Sequence, residues 1–459
     1  MTAAVVLFTS DLRLHDHPPL RAALEAADEI VPLFVLDDHI ADVGFGVPNR
    51  RAFLADCLGD LDTGLRDRGG RLVIRSGRPA DEVCRVATEA GARDVFMAAG
   101  VSPYAQRREQ RLRAALEAQG CRLHVHDAVV TAVAPGAVTP SGSGSDHFAV
   151  FTPYFRRWSG QPVREVFAAP RAVRVPHDLG SETVPSRAAV AGVAEGLVRG
   201  GEKAARKRLA GWCREGLAEY EARHDDLAGD ATSRLSPDLH FGTLSPVELI
   251  HGARSAGGPG ADAFVRQLCW RDFHHQVLAA RPAAAHADYR TRRDQWRTER
   301  SAADDIAAWR EGRTGYPVVD AAMRQLRHEG WMHNRGRLLA ASFLAKTLYV
   351  DWRIGARYFL DLLVDGDIAN NQLNWQWVAG TGTDSRPNRV LNPVLQGRRY
   401  DPDGAYVRRW VPELRGIDGG AVHEPWKLSA PARNLYSYPE PVIELADGLA
   451  RFKEARALG

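Results

Sequence analysis

Five short apolar runs alternate with amphipathic stretches through the first 130 residues, and no other property of the chain narrows its fold as far. The runs Ala3–Phe8, Ile30–Leu36, Leu72–Arg75, Asp94–Ala98 and Arg122–His126 have the length of strands. Between them, Pro19–Ala27, Arg50–Arg68, Ala80–Ala90 and Tyr104–Gln119 place apolar residues at helical spacing. Buried strands separated by helices require right-handed crossovers, hence a parallel sheet covered on both faces. A doubly wound α/β domain over 1–130 is the expectation, and such a fold names no chemistry.

The pattern then changes twice. Residues 131–200 include APGAVTPSGSGSD and APRAVRVPHDLGSETVPSR, rich in Pro, Gly and Ser without sustained period. They predict a long connector draped over the surface. Over 201–459 the spacing is helical almost throughout. Ser245-Pro246-Val247-Glu248 reads as a capping box, with Pro at the first helical position. Tyr316-Pro317 opens another helix, whose Val319, Ala322, Met323 and Leu326 share a face before Gly330 stops it. The fold class is α/β followed by a large all-α domain.

Several functions are excluded. No apolar run reaches the ~18 residues of a membrane span, since Lys346 interrupts the nearest approach, Leu338–Val350. The amino terminus lacks the basic region of a signal peptide. Cys57, Cys84, Cys121, Cys213 and Cys269 are odd in number and widely spaced. That excludes a disulfide framework or zinc ribbon and fits a reducing cytoplasm. There is no P-loop and no nucleophile elbow, and Gly44-Phe45-Gly46 is a lone GxG. His328 and His333 stand five apart with Gly330 between them, so no metal site is expected there.

All eleven tryptophans lie at or beyond Trp158. Residues 1–135 carry 16 Lys and Arg against 19 Asp and Glu, so the positive surplus of the +3 chain also lies in the later part. The informative segments are there too. Tyr220 precedes Thr232-Ser233-Arg234-Leu235-Ser236-Pro237, where hydroxyls and a helix start, Ser236 capping, suit a diphosphate as well as they suit an ordinary cap. Gln267-Leu268-Cys269-Trp270-Arg271-Asp272-Phe273-His274 interleaves aromatic, amide and arginine. That mixture can stack on a flat heterocycle or fill a core. Gly330-Trp331-Met332-His333-Asn334-Arg335-Gly336-Arg337 follows. The run Asp365 to Trp377 then packs two carboxylates, five Asn and Gln and two Trp into thirteen residues. Such a run is a poor core, and a polar ligand explains it economically.

The ordered set TSRLSP, WRDF, GYPVVDAAMRQL, GWMHNR, DGDIANN and NWQW resembles the photolyase/cryptochrome family, specifically its bacterial class I CPD photolyases. Asp11-Leu12-Arg13-Leu14-His15-Asp16 and Phe151-Thr152-Pro153-Tyr154 are similar to that family as well. The resemblance implies an antenna domain, a connector and a helical domain that holds FAD. It places Tyr220, Thr232, Ser233, Arg234, Leu235, Ser236 and Phe264 at the cofactor. It further implies that Arg271 flanks flavin and substrate, that Arg337 pairs with Asp365 beside Gly366, and that Asp367 and Asn371 meet the flavin ring. In such enzymes light-excited FADH⁻ passes an electron to a cyclobutane pyrimidine dimer flipped out of DNA, and the electron returns.

By the same resemblance, Gln267, Trp270, Arg271, His274, Asn334, Arg335 and Gln396 meet UV-damaged DNA. Gln267 and Asn334 act on the lesion. Trp375 and Trp352 match the inner and middle electron relay. Counting back from Trp309 lands on Glu299, and a three-residue insertion makes Trp296 the outer member. Gln267 stands where CPD enzymes carry Glu and (6-4) enzymes carry Gln, but Asn334 occupies the place of the (6-4) histidine, so CPD repair leads. A cryptochrome-like photoreceptor is the alternative. Gln106 replaces the Glu of folate-binding members, which favours 8-hydroxy-5-deazaflavin as antenna, with Phe34–Asp38 and Asn49–Phe53 as its cleft. The resemblance implies a cytoplasmic monomer, nucleoid-associated on DNA, without an obligate protein partner.

Overall fold

The computed structural model describes residues 1–142 and 144–457. Ser143 in the Gly/Ser-rich stretch and the final two residues of the expected 201–459 domain lie outside the described residues. The five apolar runs form strands β1 (Ala3–Leu7), β2 (Glu29–Leu36), β3 (Val73–Ser76), β4 (Asp94–Ala98) and β5 (Arg122–His126). All neighbours pair in parallel, in the order β3-β2-β1-β4-β5. Helices α1 (Pro18–Ala26), α2 (Pro48–Arg66), α3 (Pro79–Ala90) and α4 (Pro103–Glu117) make the crossovers. Val5, Val31, Val73 and Val95 face one side of the sheet and Val6, Ile30, Ile74 and Phe96 the other, all buried, which explains the near-continuous apolar runs.

The connector is less plain than its composition. It contains α5 (Phe151–Ser159), whose Phe151, Tyr154 and Trp158 are buried against the helical domain. That domain includes α6 (Ser236–Phe241), α7 (Pro246–Ala256), α8 (Gly258–Ala280), α9 (Pro317–Glu329), α10 (Asn334–Ser342), α11 (Trp352–Leu362), α12 (Ile368–Ala379) and α13 (Pro393–Tyr400). Ser245 caps α7 by accepting from Val247 and Glu248 N–H. The reciprocal half of the box is not made, because Glu248 turns to Arg206 at 2.8 Å. Gly330 ends α9 at φ +61°, as its glycine signalled.

The Asp11–His17 loop docks the two domains. Arg13, fully buried, donates to the carbonyls of Asp16, Val129 and Gly242. Asp16 accepts from Arg164, Phe167 N–H and the Ser245 hydroxyl. Gly242, at φ +69°, lies so close to Ser10 and Asp11 that any Cβ would strike their backbone.

Candidate active site

Helix α12 lies against α8, α10 and α11, which gathers the polar motifs around its start. Asp367 caps α12, accepting from Asn370 N–H at 2.7 Å and from its side-chain amide at 2.8 Å. From α8, His274 Nδ1 meets Asn370 Oδ1 at 3.1 Å, and His275 Nε2 lies 3.5 Å from Asp367. Burial pushes the Asp367 carboxyl up, but His275, Arg271 and His240 outweigh it and hold the group well below the usual carboxylate range. Asp367 therefore stays anionic.

Arg337 pairs with Asp365 at 2.8 Å and steadies itself on the Met332 carbonyl at 2.8 Å. Asn371, buried on α12, donates to the carbonyl of Ala356 and to Gln372 Oε1. Gly366 separates the two aspartates and is buried. Tyr220 packs edge-on to Trp212 and Phe264, with ring centres 5.7 and 5.8 Å apart.

The Thr232–Ser236 segment departs in part from expectation. Thr232 Oγ1 is buried without a partner, and Leu235 is buried. Ser233 Oγ accepts from Leu235 N–H at 3.4 Å. Arg234 adopts φ +50°, pairs with Asp230 and Glu329, and lies 4.2 Å over the Trp331 ring. Ser236 does not cap α6. It is that helix's first residue, and its hydroxyl accepts from Trp331 Nε1 at 3.1 Å instead.

Arg271 turns inward, donating to the carbonyls of Val130 at 2.5 Å and Leu239 at 3.2 Å. That placement suits a cofactor contact and withdraws the guanidinium from DNA phosphates. Gln267 on α8 and Asn334 at the start of α10 are exposed. Trp270 stacks one face on Phe151, ring centres 3.6 Å apart and 3° from parallel. Arg335 pairs with Asp225 at 2.6 Å and covers Tyr400. Gln396 on α13 is half-buried with its Oε1 unpartnered.

Trp375 and Trp352 are buried in one apolar cluster, and half-buried Trp296 packs against it, with the Tyr349 ring centre 4.7 Å from its own. Trp352 Nε1 donates to Asp288 at 2.9 Å. Trp309, which spacing alone did not mark, stands edge-on to Trp375 at 6.1 Å. His275 was missed as well. Its neighbour Asp367 is 92 positions away, and only WRDFHH's density of histidine hinted at it.

The antenna cleft needs correction. Asn49 and Arg50 are buried between the domains and bonded to carbonyls near the end of α11, so that half of the cleft is closed. Gln106 donates to the carbonyls of Val101 and Ala279, and the Tyr104 hydroxyl to Asp37.

Among the described residues, no cluster of His, Cys, Asp and Glu could hold a metal ion. An organic cofactor fits better. Thr232 Oγ1, His274 Nε2, Asp365 Oδ1 and Trp375 Nε1 are all buried without hydrogen-bond partners. Folded proteins leave few such atoms unpaired, so a ligand offering both donors and acceptors suits them, as FAD does.

A parallel α/β domain docked on a helical domain with this polar centre defines a two-domain flavoprotein. Residues 4–171 match the model of the DNA photolyase family, and 264–457 that of the FAD binding domain of DNA photolyase. The deoxyribodipyrimidine photo-lyase of Streptomyces griseus is 66% identical over 458 residues, covering 100% of both chains. The class III photolyase of Agrobacterium tumefaciens superposes with a TM-score of 0.92 at 31% identity, covering 100% of this chain and 98% of that one. A Sulfolobus tokodaii photolyase solved with two FAD molecules gives 0.87 at 30% identity, covering 100% of both chains. The chain belongs to the DNA photolyase family.

Proposed function

We propose that this protein is an FAD-dependent deoxyribodipyrimidine photo-lyase that repairs cyclobutane pyrimidine dimers in DNA. The observation that carries this reading is full-length identity of 66% to a photo-lyase. Reduced, light-excited FAD supplies the electron that opens the dimer and receives it back.

The chain's residues do the rest. Arg337, Asp365, Gly366, Asp367, Asn371 and Arg271 hold the flavin ring, and Asp367 remains an anion that accepts a proton-bearing edge. Tyr220, Phe264 and Thr232 to Ser236 hold the diphosphate and ribitol. Gln267 and Asn334 are placed on exposed helix positions where an extruded lesion would arrive, and their neutral amides can donate to thymine carbonyls. Trp270, Arg335 and Gln396 complete the DNA face, whereas His274, 3% exposed and bonded to Asn370, is withdrawn from DNA. Trp375, Trp352 and Trp296 form the route by which oxidised flavin regains electrons. The units are 1–130 for the antenna, 131–200 for the connector and 201–459 for FAD and DNA.

An 8-hydroxy-5-deazaflavin antenna is favoured because Gln106 replaces a folate-binding Glu. The enzyme works as a cytoplasmic monomer, and no described helix is long and apolar enough to cross a membrane. Fully reduced protein under blue light should revert a thymine dimer in an oligonucleotide, and no reversal would sink the repair reading. A (6-4) oligonucleotide in parallel should stay unrepaired, because Asn334 cannot transfer the required proton. The absorption spectrum of the purified protein separates deazaflavin from folate and from a second FAD.

A further inference from the structure

Two neighbouring residues at the start of α2, Asn49 and Arg50, reach out of the α/β domain into the backbone that carries the Arg337–Asp365 pair. Asn49 Nδ2 donates to the Leu362 carbonyl at 2.6 Å while its Oδ1 accepts from Ala194 N–H at 2.8 Å. Arg50 Nη1 donates to the carbonyls of Leu360 and Leu363, the latter at 2.8 Å, and its Nε and Nη2 bond Phe45 O. These carbonyls belong to the end of α11, where a helix leaves its last acceptors unsatisfied and favours a cation. A side chain more than 300 positions away fills that role.

The contacts continue into the flavin residues. A Cβ on Gly366 would stand 2.5 Å from Arg50 Nη1, so the guanidinium lies directly beside the residue between Asp365 and Asp367. A Cβ on Gly330 would stand 2.6 Å from Asn49 Nδ2, so the amide abuts the turn that leads through Met332 to Arg337. Val364 N–H joins the two turns by donating to Gly330 O at 2.8 Å. Burial lowers the Arg50 pKa to about 10.

We infer that Asn49 and Arg50 are positioning residues of the FAD site, by which the α/β domain sets the spacing of the Arg337–Asp365 pair and hence the affinity for flavin. The inference rests on the flavin reading of that pair. The Glu202 contact lacks this aim: it joins the domains by accepting from the N–H groups of Leu14 and His15, neither of which is assigned to the flavin.

The test compares Arg50→Lys, Asn49→Ala and Glu202→Gln in the full-length holoprotein. Flavin release by fluorescence, flavin midpoint potential and Tm are read for each. Arg50→Lys and Asn49→Ala should raise the FAD Kd about five- to tenfold and shift the potential. Glu202→Gln should lower Tm with Kd and potential unchanged. Wild-type Kd and potential in both clamp variants overturn the inference, as does equal loosening by Glu202→Gln. If Arg50→Lys fails to fold, Asn49→Ala decides alone. Wild-type protein that takes up no FAD overturns the flavin reading instead.

Discussion

Trp375 is buried to 2% exposure, its Nε1 has no partner, and its ring meets Phe359 and Trp309 edge-on at 4.9 and 6.1 Å. A residue so enclosed can conduct electrons without touching DNA. Trp375→Phe should therefore abolish photoreduction of oxidised flavin and spare repair by protein reduced beforehand, as flash spectroscopy and a dimer-reversal assay would show. Loss of both would assign Trp375 another role. Two buried histidines give the residue scale a pH signature. Burial lowers His274 and His333 to about 4. The unfolded chain binds protons on them below roughly 6.5, so stability present above that pH is lost as pH falls toward 4, by ~1.4 kcal/mol per unit for each. Asp320, raised to about 6 by burial, works the other way between the usual carboxylate range and pH 6. Urea midpoints should still decline from pH 6.5 to 4.5, and a flat profile would refute the assignment. The family resemblance implied the Arg337–Asp365 pair, and the fold brings the two together at 2.8 Å. The resemblance could not reveal that Arg234 is claimed by Asp230 and Glu329, since that depends on which acids the fold brings near.

Glycines within helices separate propensity from packing at the scale of the element. In α7, Gly252 is exposed and an added Cβ would meet nothing within 4 Å. Gly252→Ala should stabilise by about 0.5–1 kcal/mol through backbone entropy alone. Gly355 in α11 is buried, and its Cβ would enter the Trp375 ring and approach Leu344 Cδ2 at 2.6 Å. Overpacking of about 1–3 kcal/mol outweighs the helix-propensity gain there. Gly355→Ala should lower Tm and slow flavin photoreduction by displacing Trp375, while Gly252→Ala raises Tm. Strands and helices of the first domain were legible because alternation and period state them locally. The Ser236 cap and the full capping box were not, since Trp331 and Arg206 compete for those side chains from distant positions.

For the molecule as a whole, the joint between domains is built on charge buried at the Asp11–His17 loop. The loop's resemblance was visible, but its partners Arg164 and Ser245 lie 148 and 229 residues further on, beyond any local pattern. Asp16 is fully buried at φ +51°, a conformation that Asp tolerates better than Ala. Its carboxylate answers the Arg164 guanidinium at 2.8 Å, the Phe167 N–H at 3.0 Å and the Ser245 hydroxyl, while its carbonyl receives Arg13. The connector, the α/β domain and the start of α7 thus meet on one side chain. Because the linkage is shared, wild-type protein should unfold in a single calorimetric transition. Asp16→Ala removes the only carboxylate bonded to Arg164 among the described residues and strains the backbone, at a cost of about 3–5 kcal/mol. Two separated transitions should then appear, the α/β domain melting first and the helical domain keeping its flavin to a higher temperature. One transition merely shifted downward would mean that other contacts, Arg50 and Asn49 among them, suffice to couple the domains.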